Sequence, residues 1–199
     1  MTDKQKTMNK NSQPAVTIRQ VSCDDEFYKS IVEDLSENRV EPQILASLLY
    51  GPETRSSSPR LLAIAEEDQC VGYVITFDFF QATYITHLHV RESFRRKGYG
   101  TMLLSHVCSN PNRTYLLLSE VAMSDSDQLA TCVHRKIFLL KNGFRNVPFK
   151  RNSPYYANYD VHIKGPDIEL GSLLAALRKS YEIWNTAYFQ TLCQDKPIR

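Results

Sequence analysis

Six consecutive residues, Arg95-Arg96-Lys97-Gly98-Tyr99-Gly100, carry the clearest chemistry in the sequence. The first turn of a helix leaves backbone N–H groups unpaired and carries a positive partial charge, so it receives an anion. Glycines at 98 and 100 remove side chains that would hold a phosphate off those donors, and the three preceding cations add charge. The predicted ligand is a dianionic phosphate group. Two common nucleotide patterns do not fit. Leu103 stands where the third glycine of G-x-G-x-x-G would be, and no G-K-[ST] follows.

The elements that must position this turn can be read around it. "AVTIRQV" is a first strand, followed by a helix that Ser22 or Asp24 can cap, with Phe27, Ile31, Val32 and Leu35 on one face. A short helix is expected from Glu41-Pro42, with Ile44, Leu45, Leu48 and Leu49 inward, before the loop "GPETRSSSP". "RLLAIAEE" and "CVGYVITFDFF" form an antiparallel hairpin about Asp68-Gln69, and "ATYITHLHV" is a strand leading into the motif. From Gly98, Tyr99, Met102, Leu103, His106 and Val107 recur at helical spacing until Asn110-Pro111. "RTYLLLSEV" is apolar enough for a strand buried on both faces.

Asp125, Ser126 or Asp127 can cap the next helix, whose packing side is expected to hold Leu129, Val133, Ile137 and Leu140, and Asn142-Gly143 ends it. "FRNVPF" and "YYANYDVHI" close the sheet around the basic loop "KRNSP". After Gly165-Pro166 a last amphipathic helix carries Leu170, Leu174, Leu177, Tyr181, Trp184 and Tyr188.

Length and composition set the bounds. A chain of 199 residues fits one core domain, expected over residues 15–164, with 1–14 a disordered lead-in and 165–199 a helix packed on the domain or at a homodimer contact. The net charge of +2 is too small to announce a nucleic-acid or membrane partner. No apolar run approaches the roughly 18 residues of a membrane span. Cys23, Cys70, Cys108, Cys132 and Cys193 are scattered and odd in number, which fits free thiols in a reducing cytoplasm.

The motif reads R-x-x-G-x-G, preceded by Leu88-His89-Val90 on a strand. In this the chain resembles the GNAT N-acetyltransferase superfamily, whose acetyl-CoA signature has that form. The resemblance runs from residue 16 to residue 163 and includes the order of elements and the segment "FLLKNGF". It implies an α/β fold: a splayed, mostly antiparallel central sheet flanked by helices, to which this chain adds a C-terminal amphipathic helix. It also implies acetyl-CoA as co-substrate, with no metal, and a primary amine of a small molecule as acceptor in a ternary complex. Leu88, His89 and Val90 would bind the pantetheine arm, and Arg95, Arg96, Lys97, Gly98, Tyr99, Gly100 and Thr101 the pyrophosphate.

Acetyl transfer to an amine needs a neutral nucleophile, an electrophile for the oxyanion and a proton for the leaving thiolate. Many family members take that proton from a tyrosine four residues before the glycine of "GF"; here Leu139 stands there, and Cys132 replaces the asparagine seven residues earlier. Tyr155 and Tyr156 are candidate replacement acids. Glu120, a carboxylate within "LLLSEV", is the candidate base, since its burial calls for a partner or a function. Tyr84 is a candidate relay. His87 and His89 form an H-x-H that lacks a third metal ligand nearby, and His87 is an alternative base. Asp78, Glu120, Asp125 and Asp160 are candidate contacts for a cationic amine, Lys150 and Arg151 for an acidic group on the acceptor. Two alternatives stay open: an acyl-CoA-binding sensor or scaffold, motivated by Leu139 and Cys132, and a protein N-acetyltransferase.

Overall fold

The computed structural model describes residues 15–37, 59–79, 81–120, 126–148 and 159–179. The order is β1 (Val16–Gln20), α1 (Glu26–Glu37), β2 (Arg60–Glu66), β3 (Gln69–Phe79), β4 (Ala82–Val90), a 3-10 turn (Glu92–Phe94), α2 (Tyr99–Val107), β5 (Thr114–Glu120), α3 (Ser126–Lys141), β6 (Arg145–Val147) and β7 (Tyr159–Lys164). A further helix, α4, occupies 170–179. The strands form one sheet in the order β1-β2-β3-β4-β5-β7-β6. All neighbours are antiparallel except β4 and β5.

Each face of the sheet is covered by two helices. On one, Phe27, Ile31 and Leu35 of α1 and Leu173, Leu174 and Leu177 of α4 bury against Tyr73, Tyr84 and Leu116. On the other, Tyr99, Leu103 and Leu104 of α2 and Leu139 of α3 bury against Ile64, Val74, Ile85 and Leu117. Strands β3 and β5 therefore carry near-continuous apolar runs, as strands covered on both faces do.

Three expectations are corrected in detail. Asp25 caps α1, its Oδ1 accepting from the N–H of Phe27 at 2.9 Å, in place of Ser22 or Asp24. In α2, Leu104 is buried while Met102 and His106 are exposed. The stripe Leu129, Val133, Ile137 and Leu140 of α3 faces solvent, each residue at least 44% exposed; Leu139 and part of Phe138 meet the sheet instead, on a side that also carries the half-buried Cys132 and Lys136. The helix end is as expected: Gly143 takes φ 82° and the N–H of Phe144 returns to the carbonyl of Leu139 at 3.0 Å. The expected helix from Glu41, and Tyr181, Trp184 and Tyr188, lie outside the described residues. No described helix is long and apolar enough to cross a membrane.

Candidate active site

The chain leaves β4, makes the 3-10 turn and enters α2 through Gly98 at φ 91°, the left-handed region that glycine occupies without strain. The first helical hydrogen bond of α2 runs from the N–H of Met102 to the carbonyl of Gly98 at 3.0 Å, so the amides of Tyr99, Gly100 and Thr101 precede the ladder and are free for an anion. A Cβ built on Gly98 meets nothing within 4 Å, which leaves room at the helix mouth. Gly100 meets a different constraint: a Cβ there would stand 3.2 Å from the Phe138 ring of α3, which would have to give way. Arg95, Arg96 and Lys97 are exposed around this mouth, with Arg96 at φ 66°. The Arg95 Nε donates to the carbonyl of Val90 at 3.1 Å, and Lys97 stands 4.9 Å over the Phe94 ring. Tyr99 turns its side chain into the core, donating to Glu66 at 2.5 Å, so only its amide is left for a ligand.

Beside the cradle the sheet parts. β4 and β5 pair only from Ala82↔Thr114 to Ile85↔Leu117; β4 then follows β3 to Val90, and β5 follows β7 to Glu120. A register shift between Ile75 and Thr76 of β3 opposes Thr86, at the point of divergence. Both strands run toward the cradle edge, so the opening lies at the carboxyl ends of the parallel pair, where open α/β sheets hold their ligands. Leu88 and Val90 pack on the α2/α3 face.

His87 and His89 stand past the bulge, stacked with Tyr73 of β3: ring centroids lie 5.8 Å apart for Tyr73–His87, 5.2 Å for Tyr73–His89 and 6.3 Å for the two histidines. Tyr73 OH and His87 Nε2 are both buried without a hydrogen-bond partner. Burial, then the positive fields of His89 and Arg135, pushes the His87 pKa down to about 4, so the ring is neutral at pH 7. Burial lowers His89 as well. Among the described residues no group of three His, Cys, Asp or Glu is placed to hold a metal ion.

The α3 side of the opening is different. Leu139 is 1% exposed and offers no proton donor. Beneath the helix Ser119 of β5 meets His162 of β7, Oγ to Nε2, at 2.8 Å, and Lys136 of α3 binds Asp160 at 2.5 Å. Neither Ser119, His162 nor Tyr73 is among the residues singled out in the sequence. The pairing of β5 with β7 is what joins the first two, and the β3–β4 register is what brings Tyr73 opposite His89.

The remaining candidates divide. Tyr84 is 8% exposed and packs in the α1/α4 core, before the bulge. Glu120 ends β5 opposite Tyr159, beyond the last β4 pair; its side chain, with Tyr155, Tyr156, Asp125, Lys150 and Arg151, lies outside the described residues. Asp78 lies on β3 opposite Thr83, away from the opening, bound by Arg60 at 3.0 Å and Arg113 at 2.9 Å, and Asp160 is paired with Lys136.

Comparison with solved structures agrees with this architecture. A GNAT-family protein from Bacteroides thetaiotaomicron superposes with a TM-score of 0.61 at 16% identity, over 86% of this chain and 98% of that one. A GNAT family acetyltransferase from Elizabethkingia anophelis, solved with acetyl-CoA bound, gives 0.51 at 16% identity over 76% and 98%. The paiA N-acetyltransferase from Thermoplasma acidophilum, in complex with coenzyme A, gives 0.51 at 12% identity over 76% and 99%. No curated protein matches the sequence. Residues 25–110, from α1 through the cradle, match the Acetyltransferase (GNAT) family, and the seven-stranded sheet that parts beside them is the fold of its solved members.

Proposed function

We propose that the protein is an acetyl-CoA-dependent N-acetyltransferase that moves an acetyl group directly to a primary amine of a small molecule within a ternary complex. One observation carries the reading: three unpaired amides at the start of α2, with open space at Gly98, stand at the edge where β4 and β5 part. A pyrophosphate held by Tyr99, Gly100 and Thr101 amides, with Arg95, Arg96 and Lys97 around it, directs the pantetheine arm along Leu88, His89 and Val90 into the opening. The acetyl-CoA and coenzyme A bound to the two solved relatives support this choice of ligand.

In the ternary complex the amine attacks the acetyl carbonyl and loses a proton. His87 takes that proton. It is chosen because its Nε2 is buried with no partner, which leaves a lone pair there to accept; Glu120 is the alternative acceptor. The Tyr73 and His89 rings fix its orientation by stacking. Tyr84 is assigned to packing, since it lies in the core on the near side of the bulge.

The test is the melting temperature with and without acetyl-CoA, followed by thiol release across amines, polyamines, amino acids, aminoglycosides and peptides. Ligand at a hundred times Kd stabilises the native state by about 2.7 kcal/mol. A shift with release from one small-amine class is expected. A shift with no release from any acceptor supports the sensor, release from peptides alone supports the protein N-acetyltransferase, and no shift removes the phosphate site.

A further inference from the structure

Hydrogen-bond accounting on the α3 side of the opening leaves one donor over. Ser119 and His162 are 3% and 1% exposed, and their 2.8 Å contact is the bond recorded for each side chain. His162 Nδ1 is buried without a partner. A buried N–H left unpaired is costlier than a buried lone pair, so the ring proton belongs on Nε2, which donates to Ser119 Oγ. Burial holds the ring neutral, with Lys136 and Arg135 acting in the same direction against Asp160. Having accepted that bond, the Ser119 hydroxyl still has its own O–H to donate, and no acceptor among the described residues takes it.

The position of that spare donor is informative. Pairing of β4 with β5 ends at Leu117, so Ser119, two residues on, lies where the β4-facing edge of β5 has lost its strand partner. It shares the face of Leu117, which is also the face of α2, Leu88 and Val90. A chain anchored at the α2 amides and lying along Leu88 and Val90 approaches Ser119 from the same side of the sheet.

We propose that the Ser119 hydroxyl, held by His162, donates a hydrogen bond to the coenzyme A sulfur as the carbon–sulfur bond breaks, the role that Leu139 cannot fill. The assignment rests on the acetyltransferase reading. The amine nitrogen forms the new bond to the acetyl carbon, the electron pair of the breaking bond goes to sulfur, and His87 keeps the amine proton. Ser119 retains its proton and stabilises the thiolate, which is protonated by solvent after release.

Three readouts on the full chain test it: acetyl-CoA affinity, kcat with the best amine, and the pKa of the thiol of bound coenzyme A followed by thiolate absorbance. Ser119→Ala is expected to leave affinity unchanged, lower kcat about a hundredfold, as removal of one preorganised donor does, and raise the bound thiol pKa. Ser119→Thr, which keeps the hydroxyl, restores both. If the alanine variant does not fold, Ser119→Cys keeps the volume with a weak donor and is expected to fall between. Unchanged kcat with unchanged thiol pKa, in either variant, overturns the assignment. A wild-type protein that binds no acetyl-CoA overturns the reading beneath it as well, and that failure shows in the affinity alone, before any variant is made.

Discussion

The two strands that part at the opening hold their ends of the site in different ways. Past β4, the donors are backbone, three amides before the first helical bond entered through a glycine at φ 91°, with the exposed side chains of Arg95, Arg96 and Lys97 beside them. Past β5, the chemistry is in side chains drawn from two strands and a helix, Ser119 with His162 and Lys136 with Asp160. A backbone cradle must be written in consecutive residues, because one turn makes it. A side-chain cluster needs only a register between strands, and it leaves no local pattern.

The largest effect expected is at the backbone cradle. Gly100→Glu places a Cβ against Phe138 and a carboxylate where the phosphates belong, so the acetyl-CoA-induced stabilisation, about 2.7 kcal/mol at a hundred times Kd, should vanish in a thermal shift assay. Retained stabilisation would break the comparison at its stronger side. His87→Ala should instead leave acetyl-CoA affinity intact and lower kcat by about 10²–10⁴, as loss of a positioned base does; an undiminished rate would return the base to Glu120.

Smaller effects separate the two strips of α3. Leu139→Ala should destabilise by about 2–5 kcal/mol, since the side chain is 1% exposed. Leu140→Ala, at 56% exposure, should stay within about 0.5 kcal/mol. Urea midpoints check both, and equal losses would mean that the solvent-facing strip is covered in solution.

A separate effect is in pH. Burial holds His87 at about 4, below the 6.5 of an exposed histidine, so the unfolded chain takes up a proton before the folded one does. Stability is therefore full above about 6.5 and is lost as pH falls from there toward about 4. His89 and His162 are shifted in the same direction and act with it. His87→Gln should flatten the acid limb of a urea-midpoint profile, and an unaltered slope would assign the loss to the other two.

The turn before α2 and the β2–β3 hairpin were legible because their causes are local. Arg95 to Gly100 spells a turn, and strand periodicity with short connections gives the hairpins. The inward face of α3 was not, because its apolar stripe at helical spacing faces solvent, while the side that meets the sheet sets Leu139 among Cys132 and Lys136. Asp25 took the cap, one position past Asp24 and three past Ser22, a choice that depends on where β1 delivers the chain. The histidines were visible as H-x-H but chemically ambiguous; Tyr73, their stacking partner, became visible only with the β3–β4 register. Ser119 and His162 lie 43 residues apart and needed the β5–β7 register.

Phe138 joins these two halves. A Cβ at Gly100 would stand 3.2 Å from its ring, so glycine there lets the last turns of α3 come close to the start of α2. The missing side chain at Gly100 therefore sets how near the helix with the unpaired amides can sit to the helix above Ser119 and His162.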